Sequence, residues 1–248
     1  MKTLLLATAA LAAFAAAPAL AQTGPVGSVG VSYGNTELDA GGASADADTY
    51  GVDGVVALPA FGDWTVTLAG SASRFDESGS DTTVAGTAHL TTVVNSDLRV
   101  GGFLGAADIA DETALTAGVE VQKYLARATL TGVVAYTTAD DVDLDVWSVG
   151  GDAAFYVTEA LRLNAGVSWM TIDDADVDGL TYGVGAEYEI ASTPFSVTAG
   201  YSHSDLEDLD VDSWTIGLRY SFGGGLQARD RAGAALPGSG VMGLLGAL

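Results

Sequence analysis

Ser213-Trp214-Thr215-Ile216-Gly217-Leu218-Arg219-Tyr220-Ser221-Phe222 alternates without a break. Trp, Ile, Leu, Tyr and Phe fall on one face of an extended chain, and Ser, Thr, Gly and Arg on the other. Successive side chains of a strand point to opposite faces, so this period of two reads as a strand and not as a helix. The composition of the two faces then decides the architecture. A soluble sheet buries its apolar face and shows charged side chains, lysine included, on the other. Here the second face is small and hydroxylated. Such a strand fits a sheet closed into a tube that is oily outside and wet inside, the form a β-structure takes in a bilayer.

Working back from that stretch, the same beat recurs to about Val26. Val29, Val31 and Tyr33 mark the outward face of the first strand, and Trp64, Val66 and Leu68 that of the third. Leu130, Val134 and Tyr136 do so on the seventh, and Leu180, Tyr182, Val184 and Tyr188 on the tenth. About 12 strands are expected, within a range of roughly 10–14. The fold class is all-β, a transmembrane up-and-down antiparallel β-barrel. A tilted strand needs about 9–11 residues to cross the hydrocarbon layer, which these segments supply.

The connections alternate in kind. Acidic ones (39–48, 76–81, 108–112, 140–145, 173–179 and 205–212) are expected to be long loops, and those near Pro59, Asn95, Leu125, Thr158 and Ser192 short turns. Aromatic residues gather beside both sets, as girdles at the two membrane interfaces would. All prolines are expected to fall outside the strands, because a ladder has no use for a residue lacking an N–H.

Composition narrows the classes. Lys and Arg number 9 against 32 Asp and Glu, a formal charge of -23, which argues against a nucleic-acid partner. Yet 48% of residues are hydrophobic and mean hydropathy is +0.31, so the chain is patterned rather than disordered. It has no cysteine. Lys2, the apolar run Leu4–Ala16, Pro18 and the small-residue site Ala19-Leu20-Ala21 read as a signal peptide over residues 1–21. Residues 22–222 are then the barrel, and 223–248 a periplasmic tail.

The strand 213–222, with its terminal aromatic, resembles the last strand of bacterial porins and related outer-membrane barrels. The resemblance implies export to the Gram-negative cell outer membrane, with long loops extracellular and both termini periplasmic. It also implies assembly by the barrel-assembly machinery, which reads that strand, among outer-membrane lipid and lipopolysaccharide. The chain departs from the pattern by continuing through Gly223-Gly224-Gly225 to Leu248.

Three sets of residues are candidates for function. Asp53, Arg99, Glu120, Asp152, Arg162, Glu187, Glu189 and Arg219 are inward charges. They brace the wall as pairs, or form a charged constriction that filters solutes. Asp141, Asp143 and Asp145, then Asp174, Asp176 and Asp178, then Asp208, Asp210 and Asp212 repeat an every-second-residue pattern whose carboxylates are candidates for holding Ca²⁺. They lack the glycine and closing glutamate of an EF-hand loop, so the default is solvated, mutually repelling loops. The two histidines, His89 and His203, give no nucleophile–base pair, and the chain is read as a non-enzyme without a required cofactor. The tail is expected to be disordered; its arginines Arg229 and Arg231 also suit a plug in an acidic lumen. The leading expectation is a porin-like channel for passive diffusion of small solutes, preferring cations. The alternative is a non-conducting structural or surface-interaction barrel whose acidic loops bind divalent cations, and a tail or loop folded into the lumen would favour it.

Overall fold

The computed structural model describes residues 24–76, 82–109, 112–139, 144–172, 177–207 and 209–235. The signal segment 1–21 lies outside them. Among the described residues, twelve strands follow one another. The first six are β1 Val26–Ala40, β2 Ala43–Pro59, β3 Trp64–Phe75, β4 Thr82–Asn95, β5 Leu98–Ile109 and β6 Glu112–Leu125. The rest are β7 Ala128–Ala139, β8 Leu144–Thr158, β9 Leu161–Ile172, β10 Val177–Glu189, β11 Phe195–Leu206 and β12 Leu209–Phe222. Each pairs antiparallel with the next, and β12 pairs with β1 from Gly27↔Phe222 to Ala40↔Leu209, closing the barrel. Closure leaves no unpaired edge, which is how a β-structure satisfies its backbone in lipid.

The two faces separate as the alternation requires. Val31, Leu104 and Val119 are 58%, 67% and 63% exposed on the outside, whereas Thr67 and Thr91 on the inside have no exposed surface. Aromatic pairs form the girdles. Tyr33 meets Tyr50 and Trp214, both with ring centroids 5.5 Å away, and Tyr136 meets Trp147 at 5.1 Å. At the opposite end Phe195 meets Tyr220 at 5.6 Å and Phe61 meets Trp64 at 6.0 Å. Pro59 corrects the proline expectation: it is the last residue of β2, where a missing N–H disturbs the ladder least.

The acidic connections are a larger correction. Where they are described, they are largely strand and not loop. Glu37 pairs with Asp46 and Asp212, and Asp39 with Asp210, so β1, β2 and β12 run on past the girdle. Gly41 and Gly42, with φ of 57° and 93°, make a two-residue turn between β1 and β2. The physical reason lies in the pattern itself. Carboxylates at every second position keep the period of two and stay on one face of a strand. By that parity Glu37, Asp39, Asp46, Asp48, Asp145, Asp178, Asp205, Asp210 and Asp212 all share the outer face with the girdle aromatics. These described carboxylates therefore form a collar on the outside of the barrel rather than a ring lining its mouth.

Candidate functional site

The site is the lumen, and it has three storeys. At the acidic end an apolar cluster stands among the inward positions. Ala107, Val146, Met170 and Leu206 are buried together, with Ala85, Ile172 and Leu209 packed against them. These residues come from β4, β5, β8, β9, β11 and β12, which are not all neighbours in the sheet, so their contacts reach across the bore and narrow it.

Below that lies a polar chamber of about 810 Å³. Ser71, Thr87, Asn164, Thr198, Ser202 and Thr215 are among the side chains that line it. Asp53, Asp152, Arg162, Glu187 and Arg219 also face it. Arg219 reaches Asp53 with Nη2–Oδ2 at 2.7 Å and donates from Nη1 to Ser28 Oγ at 2.8 Å. Arg162 lies 3.4 Å from Glu187. Four of the eight charges named from the sequence are thus paired with one another along the wall.

Arg99 and Glu120 do not meet, although their strands are neighbours. The register sets Arg99 opposite Gln122 and Glu120 opposite Gly101. Glu120 Oε1 lies 3.0 Å from His89 Nδ1, and His89 Nε2 lies 3.0 Å from Thr87 Oγ1. The His89 ring stacks on Phe103 at 5.0 Å, and Phe103 packs with Val133 and Ala135. A Cβ on Gly118 would stand 2.5 Å from the Phe103 ring, so the bare glycine makes room for it. This side of the lumen is packed solid, and Arg99 and Glu120 are within it at 3% and 5% exposure. The backbone around Thr87 pairs on both sides, with Ala69 and Gly105.

The third storey is the tail. Instead of extending away, the chain after Phe222 turns back into the bore. Gly223 and Gly224, with φ of 86° and 139°, make the reversal. A short helix α1, Leu226–Arg229, follows, then a wider turn, Asp230–Ala234, broken at Gly233 with φ of 95°. Arg229 is held by Glu189 at 2.7 Å and Glu187 at 3.2 Å. Asp230 accepts a hydrogen bond from the Tyr156 hydroxyl. Three wall side chains donate to tail carbonyls: Arg99 to Arg231 at 2.8 Å, Thr67 to Gly233 at 2.9 Å and Gln122 to Ala235 at 3.4 Å. Leu226, Arg229, Asp230, Ala234 and Ala235 form part of the chamber wall. The disordered extension expected from composition is therefore replaced, over these residues, by a plug; residues 236–248 lie outside the described ones.

Of the nine proposed Ca²⁺ ligands, Asp145, Asp178, Asp210 and Asp212 are among the described residues. Asp145 accepts from Tyr136 Oη at 2.6 Å, and Asp212 from Tyr201 Oη at 2.5 Å with His203 Nδ1 at 3.0 Å. These bonds hold both carboxyls below their usual range, the tyrosine hydroxyl acting most strongly in each. Asp178 and Asp210 lie on the same outer face, and Asp141, Asp143, Asp174, Asp176 and Asp208 lie outside the described residues. Among the described residues no group of three or more side chains is arranged to hold a metal.

Residues 6–222 match the family model described as the outer membrane protein beta-barrel domain. This chain belongs to that family. Solved barrels share the fold at low identity. The KdgM porin, in complex with disordered oligogalacturonate, aligns with a TM-score of 0.57 at 7% identity, covering 78% of this chain and 99% of its own. The translocator domain of autotransporter NalP from Neisseria meningitidis aligns at 0.58 with 12% identity, covering 89% and 96%. The NanC porin gives 0.59 with 8% identity, covering 77% and 100%. No curated protein matches the chain. The family domain ends at Phe222, so the plug is an addition to a barrel already complete.

Proposed function

We propose that the chain is a porin-like channel of the outer membrane, passing small solutes by passive diffusion with a preference for cations. The observation that carries this is the chamber of about 810 Å³, walled by hydroxyls, glycines and paired charges instead of a packed core. Two of the barrels that share the fold are porins, which agrees with it. The cation preference is assigned to the lumen, since the rim carboxylates face outward. The barrel strands bring Asp53, Asp152 and Glu187 to the chamber, with Glu189 beside the tail, against Arg162 and Arg219. In this reading the signal peptide exports the chain, the barrel-assembly machinery inserts it through strand 213–222, and the acidic collar stands extracellular beside lipopolysaccharide. The termini are then periplasmic.

The tail inside the bore is the one observation that favours a non-conducting structural barrel. Swelling of proteoliposomes separates the two readings. With the barrel ending at Phe222, neutral sugars of increasing size are expected to enter up to a cutoff. A folded barrel that admits none of them refutes the channel.

A further inference from the structure

Of the groups that hold the tail, most are not selective. Arg99, Thr67 and Gln122 donate to backbone carbonyls, which any residue supplies. Two tail side chains are exceptions: Asp230, which accepts from the Tyr156 hydroxyl, and, with more partners, Arg229. Its side chain is 8% exposed, and its two terminal nitrogens divide between two carboxylates, Nη1 to Glu189 Oε1 at 2.7 Å and Nη2 to Glu187 Oε1 at 3.2 Å. Nη1 also donates to Gly224 O at 2.9 Å, which ties the guanidinium to the reversing turn. Glu187 is built into the wall: its Oε1 also accepts from Ser196 Oγ at 2.7 Å, and Arg162 stands 3.4 Å from its Oε2. Take the tail away and, among the described residues, Glu187 keeps only the guanidinium of Arg162 and Glu189 keeps no cationic partner. The seat is then short of a positive charge.

We propose that Glu187 and Glu189 are a guanidinium-binding site in the bore, and that residues 224–235 are a tethered plug that closes the channel by lodging Arg229 in it. The inference rests on the channel reading. A planar guanidinium spans two carboxylates where an ammonium meets them as a point, so arginine is the suited occupant. Gly233 completes the fit. Its φ of 95° is in the left-handed region, and a Cβ there would stand 3.1 Å from Arg99 Nη1. When the plug is out, the same carboxylates face permeating ions and favour cations.

The test uses single-channel current in a planar bilayer. The barrel ending at Phe222 is compared with the full chain, and a synthetic peptide of sequence 223–235 is then added to each side in turn. The truncated barrel is expected to open in larger steps than the full chain. The peptide is expected to block it saturably from the short-turn side alone. A peptide carrying Arg229→Ala should need about tenfold more to block, the scale of a lost charge-assisted hydrogen bond, and Arg229→Lys should fall between. Glu187→Gln with Glu189→Gln in the barrel should erase the difference between these peptides. Full chain carrying Arg229→Ala should show open bursts, which keeps the test independent of truncation. Equal steps from full and truncated chains would overturn the plug and leave the channel standing. Equal block by the native and Arg229→Ala peptides would overturn the guanidinium site. Silence from every folded form would remove the channel reading, and this proposal with it.

Discussion

His89 and Glu120 decide whether lumen charges brace this wall. The pair is buried at 2% and 5% exposure, and Glu120 Oε2 has no partner. His89→Leu would leave both carboxylate oxygens of Glu120 unpaired in a dry wall. Removing one member of a buried pair costs about 3–5 kcal/mol, while replacing both by packed apolar residues is often close to neutral. Each single change, His89→Leu or Glu120→Leu, is therefore expected to lower unfolding free energy by about 3 kcal/mol or more. The double change should cost less than the sum, with a coupling of about 2–3 kcal/mol. Urea titration of the barrel refolded in vesicles, followed by tryptophan fluorescence, measures all four corners of the cycle. Ion selectivity should not move, because neither residue faces the chamber. Additive single effects below about 1 kcal/mol would refute the bracing argument.

Gly118→Ala is expected to destabilise by about 1–3 kcal/mol through overpacking against Phe103. Gly70→Ala, whose Cβ would meet only Ala85 O at 3.6 Å, should be neutral or slightly stabilising in the same urea titration. Leu206→Ser, at the apolar narrowing, should raise the conductance of the barrel ending at Phe222 by wetting the constriction, and an unchanged current would count against that narrowing. Tyr201→Phe removes the strongest cause of the depressed Asp212 pKa, so a carbon-13 carboxyl titration should find it moved up toward its ordinary value of 3.8. Because the folded pKa is depressed, the contact contributes fully above that value and is lost as pH falls through the lower one. The rim should loosen only in strong acid.

The wall of the barrel was legible because every strand obeys one period and its outward residues are unmistakable. Trp214, Ile216, Leu218 and Tyr220 could face only lipid once Thr215, Gly217 and Arg219 faced inward. The acidic segments 39–48 and 205–212 were misread as loops because carboxylates are scarce in strands, although Asp-x-Asp spacing keeps the period that builds one. Parity also places Met170 and Leu206 inside, since each neighbours an outward residue, but their meeting across the bore depends on strands far apart in sequence. The same limit hid most of the plug. Gly223-Gly224-Gly225 signals a reversal and Arg229 signals an acidic seat. Which carboxylates form that seat, 40 and 42 residues away, follows only from the closed register.

The most direct measurement is the reversal potential of the barrel ending at Phe222, recorded as single channels across a salt gradient. Discrete openings whose potential shifts toward the cation limit, and shifts back with Glu187→Gln and Glu189→Gln, are the predicted result. A barrel that is folded by its heat-modifiable mobility yet passes no current, or that passes anions preferentially, would contradict it.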